Sequence, residues 1–380
     1  MQRYFSEDVA MIDDMAARFA ADVIAPAAAA LDKAGDFPAD LYKAMAGQGL
    51  FGVALEEEAG GSGFGALAAC AVMERLAGAS GAVGNAFAIP TEAVRVLHHH
   101  GNDTQRALIP GILAGEIIPS CAVTEPDAGS DVSAMRTRAV RDGDDWVISG
   151  TKAWVTFGRV ADMIMVFAKT DPDAGYRGIS AFVVDMNTPG ISRGKSEELM
   201  GMHGLAECQV SFDEVRVPAT ALLGEEGRAF KMAMDNFNFS RLLMSAMALG
   251  MAQAGMEDAM AYATTRKQFG VPIFEHQAVQ FMIADMSKDI TAARLMIHHA
   301  ARMSDDGLPY ALEAAQAKLF TTDMAQVHIS NALQIHGGNG YSREYRIERL
   351  YRDVRLSQIY EGTNQIQRVI IARNLEKQYQ

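Results

Sequence analysis

The chain has 380 residues, 49% of them hydrophobic and 21% charged, enough to bury a large core and to divide into two or three domains. Its formal net charge of -13 opposes the clustered Lys and Arg that nucleic acid and anionic membrane surfaces require, so neither is expected as a partner. The opening MQRYFSEDVAMIDD is acidic where a secretory signal is basic, and no segment is apolar for long enough to span a bilayer, so a cytoplasmic location is expected.

From Phe5 to residue 115 the pattern is helical and Ala-rich, interrupted by EEEAGGSGFG and GASGAVG. Over 116–222 the texture changes to short runs rich in β-branched and aromatic residues: DWVISG, TKAWVTF, MIMVFAKT, ISAFVVDM and CQVSFDEVRV. Asp, Gly and Pro clusters separate these runs without intervening helices, which predicts an antiparallel, barrel-like sheet. Over 223–380 long helical patterns return, with Pro309 predicted in the first turn of one helix and Gly337 and Gly338 at its end. The expected fold is therefore α+β: an N-terminal helical domain, a central β domain and a C-terminal four-helix bundle.

Some features argue against particular chemistries. Cys70, Cys121 and Cys208 lie far apart without CxxC spacing, suggesting neither a disulfide frame nor a zinc site. Neighbouring histidines at His98 to His100 and at His298 and His299 point to different helix faces without an acid at helical spacing, so no metal is expected. GGSGFG has the wrong spacing for a dinucleotide-binding turn and follows no strand.

The polar stretches are more informative. AVTEPDAGSD (122–131) combines a strand-like start with Pro126 and Gly129, leaving backbone donors free for a polar ligand or simply forming a turn. In GTKAWVTFG (150–158) strand alternation would put Trp154 and Thr156 on one side. RKQFG (266–270) ends one helix before another begins, and QIHGGNGY (334–341) allows close backbone approach. In YEGTNQIQ (360–367), Glu361 stands just before a helix whose N-cap is predicted at Thr363.

In this order and spacing the motifs closely resemble those of the acyl-CoA dehydrogenase family, over essentially the whole chain. The resemblance implies a non-covalent FAD between the β domain and the C-terminal helices, in a homotetramer built as a dimer of dimers. It puts Val123 and Thr124 at the isoalloxazine, Trp154 packed near it and Thr156 close to N5. Arg266, Gln268, Phe269, Gln277, Gln334 and Gly338 match positions that reach the FAD of a neighbouring subunit, and Thr363 and Gln365 match flavin contacts. Ser130, Asn238 and Arg241 fall where the family touches the CoA chain, while Tyr360 and Gly362 flank the base at the substrate.

Glu361 matches the family's base, which implies removal of the α-proton of an acyl-CoA, formation of a trans-2-enoyl-CoA and passage of electrons to an electron-transferring flavoprotein. Alternatives are an acyl-CoA oxidase or flavin monooxygenase-type relative that uses oxygen, and a catalytically silent assembly protein. Three departures stand out. Phe157 replaces a common Asn, and Ser240 stands before Arg241, where some members carry the base. Pro90, Thr91 and Glu92 replace a small polar run near the acyl pocket, which predicts an unusual or polar acyl group.

Overall fold

The computed structural model describes residues 5–380. Seven helices come first: α1 (Glu7–Phe19), α2 (Ala25–Ala34), α3 (Ala39–Gly47), α4 (Gly65–Ala79), α5 (Gly81–His100), α6 (Asp103–Arg106) and α7 (Ile109–Leu113). The β region holds β1 (Pro119–Ala122), β2 (Arg138–Asp142), β3 (Asp145–Val155), β4 (Met163–Lys169), β5 (Ile179–Asp185), β6 (Ile191–Ser196), β7 (Cys208–Pro218) and β8 (Leu222–Leu223). Then follow α8 (Ala229–Thr265), the hairpin β9 (Lys267–Gln268) and β10 (Val271–Pro272), α9 (Gln277–Asp305), α10 (Ala311–His336), α11 (Arg346–Val354) and α12 (Asn364–Tyr379). The predicted fold class is the observed one.

The sheet runs β6-β7-β3-β2-β4-β5-β8, with β1 beside β4. Most pairs are antiparallel as expected, but β1 runs parallel to β4 and β2 meets it in parallel at Arg138 and Lys169. The runs DWVISG and TKAWVTF form one strand, β3, whose register against β7 shifts twice. The first shift sits at Gly150, where a Cβ would lie 2.4 Å from Thr137 Oγ1. At the second, Trp154 takes a φ of 56°, a bulge that breaks strand alternation and leaves Thr156 beyond the strand end.

α8, α9 and α10 pack on one another, and α12 lies against α10. Pro309 falls outside the first turn of α10, which starts at Ala311, because Tyr310 occupies the N-cap; the predicted stop at Gly337 is observed, with φ 58°. One hydrophobic core runs through all three regions, joining Phe51 and Leu76 to Trp146 and Val210 and to Leu242 and Leu350. The first turn of α4 is capped from far along the chain: Asp305 at the end of α9 accepts from the N–H groups of Ala66 (2.5 Å) and Leu67 (3.1 Å). Among the described residues no helix is long and apolar enough to cross a membrane.

Candidate active site

Glu361 occupies a turn between α11 and α12 and has a φ of 54°, with Gly362 at 85°. Left-handed backbone is uncommon for a glutamate and persists only where surroundings enforce it. Here Lys318 of α10, fully buried, donates from Nζ to Gly362 O (2.9 Å) and Asn364 Oδ1 (3.0 Å). Gln367 Nε2 donates to the carbonyls of Glu361 (3.2 Å) and Gly362 (2.8 Å). The Thr363 hydroxyl accepts from Ile366 N–H, the N-cap expected from the sequence. A Cβ on residue 362 would approach Gln367 Nε2 to 2.9 Å, so the glycine serves this packing as well as the turn.

With its backbone fixed, Glu361 keeps its reactive atoms free. Oε2 is buried without a hydrogen-bond partner, and among the described residues neither the Glu361 nor the Gly362 N–H donates to a backbone carbonyl. Burial pushes the Glu361 carboxyl upward, while the nearby Ser240 hydroxyl and the charges of Arg241 and Lys318 oppose the rise. The carboxylate is therefore made more basic without being left uncompensated. Tyr360 donates its hydroxyl to Met247 Sδ (3.4 Å), and Asn238 and Arg241 bond to each other (Oδ1 to Nη1, 2.6 Å).

A second carboxyl stands beside the first. Glu92, on α5, accepts from Ser240 Oγ at Oε1 (2.9 Å) and from Asn236 Nδ2 at Oε2 (3.1 Å). Ser240 and Asn236 lie one helical turn apart on α8, so their side chains share a face. Burial, then the charge of Glu361, raises the Glu92 pKa to about 8. The sequence singled out Glu92 only as a departure near the acyl pocket. Lys318 gave no signal there, because its partners lie 44 and 46 residues away.

On the β side, Val123 and Thr124 are half-buried and tied to β3: Val123 O accepts from Lys152 Nζ (3.0 Å), and Thr124 O from Ala153 N–H (2.9 Å). The next residue, Glu125, is structural. It is buried, pairs with fully buried Lys152 (2.8 Å) and accepts from the N–H groups of Arg136 and Thr137. Trp154, displaced by its bulge, leaves 58% of its surface uncovered. Thr156 donates its hydroxyl to Glu207 Oε1 (3.4 Å), whose carboxyl burial pushes up to about 7.

Other predicted contacts are spread over the exterior. Ser130 and Gln365 are exposed, and Thr363 is half-buried. Arg266 caps α8, Gln268 and Phe269 form the β9–β10 turn, and Gln277 begins α9. Gln334 and Gly338 flank the end of α10, and all six of these residues are exposed, Phe269 at 94%. None shares a hydrogen bond with the Glu361 cluster among the described residues. An acid does reach the first histidine cluster from elsewhere in the chain: Glu56 lies 3.8 Å from His98 and 3.5 Å from His99. It comes from a turn 42 residues before His98, beyond the reach of helical spacing.

The uncovered Trp154 indole, and the Glu361 and Gly362 N–H groups that no backbone carbonyl takes up among the described residues, offer an aromatic face and free donors of the kind a flat polar ring system uses. Family models agree. Those for the acyl-CoA dehydrogenase N-terminal, middle and C-terminal domains match residues 6–116, 120–215 and 227–376. The chain belongs to the acyl-CoA dehydrogenase family. As a member it is an FAD-dependent oxidoreductase acting on CH–CH groups. It is 39% identical over 374 residues to an acyl-CoA dehydrogenase of Bacillus subtilis, covering 98% of this chain and 99% of that one. Butyryl-CoA dehydrogenase from Megasphaera elsdenii superposes with a TM-score of 0.95 at 34% identity, over 98% and 99% of the two chains. The structure described as PigA with FAD and proline superposes equally well, at 0.95 and 29% identity, over 99% of each chain.

Proposed function

We propose that this acyl-CoA dehydrogenase family member oxidises an acyl-CoA thioester to a trans-2-enoyl-CoA, with Glu361 as the base. The observation that carries this reading is the unpartnered Oε2 of Glu361 on a turn held by Lys318 and Gln367. The α-carbon of a thioester is only weakly acidic, so a base and an electrophilic contact to the carbonyl must act together. Oε2 takes the α-proton, and the Glu361 N–H donates to the thioester carbonyl as negative charge develops there. Arg241 and Asn238 orient the CoA chain, assisted by Ser130, with Tyr360 and Gly362 at the acyl group. FAD, when bound, supplies the acceptor for the hydride leaving the β-carbon.

The residues proposed to hold that cofactor are Val123, Thr124, Trp154, Thr156, Thr363 and Gln365, with Arg266, Gln268, Phe269, Gln277, Gln334 and Gly338 contributed from a neighbouring subunit of a homotetramer. The exposed Phe269 and the exposed polar groups around it support this arrangement, since a single chain leaves them uncovered. An electron-transferring flavoprotein is the proposed acceptor, and the uncovered Trp154 would shield the cofactor from oxygen.

The test is an anaerobic titration of the yellow protein with a panel of acyl-CoAs, followed by reoxidation in parallel with air and with the flavoprotein. Bleaching by a thioester and faster reoxidation by the flavoprotein are expected. Equal reoxidation by air would support the oxidase reading, and no bleaching by any thioester would overturn dehydrogenation.

A further inference from the structure

We propose that Glu92 sets the acyl specificity: it presents a second carboxyl group to the acyl chain beyond the carbons that Glu361 addresses, selecting chains that carry a hydrogen-bond donor, hydroxyl or ammonium, over plain alkyl chains. This inference rests on the dehydrogenation of acyl-CoA proposed above.

Placement is the first ground. Ser240 and Asn236 each bind one oxygen of Glu92, so the carboxyl is held between α5 and α8 and does not swing freely. The charge of Glu361, at the turn before α12, acts on it, and its own charge acts on Tyr360 of that turn and on Cys121 of β1. Those groups come from separate elements of the chain, yet all lie close enough to Glu92 to interact with it electrostatically. Glu92, Tyr360 and Glu361 are each half-buried, and Cys121 is exposed although its strand neighbours Ser120 and Ala122 are buried. The partial exposure of all four leaves their side chains within reach of a bound molecule, with Glu92 offered to the part of the acyl chain that lies past the base.

Charge is the second ground. None of the nearby cations forms an ion pair with Glu92 among the described residues, although Arg241 keeps a buried Nε without a partner. Arg95, on the same helix as Glu92, donates to Ala54 O (2.8 Å) and lies over the Phe239 ring at 4.2 Å. Arg241 is bonded to Asn238, Lys318 to the Glu361 turn, and Lys152 to Glu125. Two carboxyl groups thus stand near each other with no ion pair for Glu92 among the described residues.

Hydrogen-bond capacity is the third. Beyond the two positions that Ser240 and Asn236 fill, the Glu92 carboxyl keeps others, acceptors when it is ionised and both donor and acceptor when it is protonated. An alkyl chain would strip water from the remainder and return nothing, whereas a hydroxyl or ammonium would fill them. Sites built to bond a polar substituent discriminate strongly against the analogue that lacks it.

The experiment compares pentanoyl-CoA with 4-hydroxybutanoyl-CoA and 4-aminobutanoyl-CoA, which match it in chain length, together with their homologues one carbon longer. Flavin reduction by the holoenzyme is followed anaerobically. At least one donor-bearing thioester is expected to exceed its alkyl counterpart by about tenfold or more in kcat/KM. Glu92→Leu should reverse that ratio, raising the alkyl rate as it lowers the other. Glu92→Gln should keep a preference for hydroxyl and lose any preference for ammonium, and it decides the matter if Glu92→Leu does not retain flavin. Equal rates with alkyl and donor-bearing chains, or a ratio unchanged in the variants, would overturn the inference while leaving dehydrogenation standing. Failure of every thioester to bleach the flavin would remove both.

Discussion

Replacing Glu361 by Gln keeps its size and removes its basicity. Turnover should fall by about 10² to 10⁴ or more, with flavin content and acyl-CoA binding retained. A variant that kept more than about a tenth of the wild-type rate would contradict the assignment. Glu92 permits a separate test by pH. Its folded-state pKa of about 8 lies above the roughly 4.3 of an unfolded glutamate, so the fold favours the protonated form. The stability it contributes is complete below the unfolded value and is lost as the pH rises through about 8. Glu361 strengthens this rise, Arg95 opposes it, and Ser240 and Asn236 favour the anion. Thermal unfolding should therefore show a shallower loss of stability between about pH 5 and pH 8 for Glu92→Gln than for wild type. Coincident slopes would mean that Glu92 does not titrate in this manner. Glu361 and Thr363 were legible in the sequence because a turn and a helix start lie in one short stretch. Glu92 and Ser240 were visible only as departures, since their hydrogen bond joins residues 148 apart.

Lys318 is where a helix acts on the turn. Lys318→Met keeps the apolar stem of the side chain and deletes the donor, leaving Gly362 O and Asn364 Oδ1 without that partner. Unfolding in denaturant should show a loss of about 1–3 kcal/mol, and kcat should fall because the turn carrying Glu361 is less firmly held. An unchanged kcat would separate the lysine from catalysis. Such a residue hides in a helical pattern, whose period reports which face is buried but not what the ammonium meets. The long helices were legible for the same reason that Lys318 was not: their apolar spacing persists over many turns. Strands fared less evenly. β6, ISRGKS, has too little apolar content to signal itself, and the bulge at Trp154 depends on pairing with β7, which no local alternation reveals.

Across the assembly, Arg266→Ala should weaken FAD retention and oligomerisation together, because a rigid guanidinium fork suited to a pyrophosphate is lost. Sedimentation with absorbance at the flavin band checks both; a wild-type monomer carrying a full complement of FAD would refute the shared site. The changes of texture along the sequence did mark where helices give way to strands, but not that one core unites the three regions. The Asp305 cap on α4 has a consequence for synthesis. Its carboxylate is translated 239 residues after Ala66, on the order of ten to fifty seconds at ribosomal speed. Throughout that interval α4 lacks its cap, and until α8 has been made it also lacks the α8 surface it packs against. The nascent N-terminal region must therefore wait with the α8-facing side of an apolar helix uncovered, so mutations on that side of α4 act on the growing chain as well as on the finished enzyme.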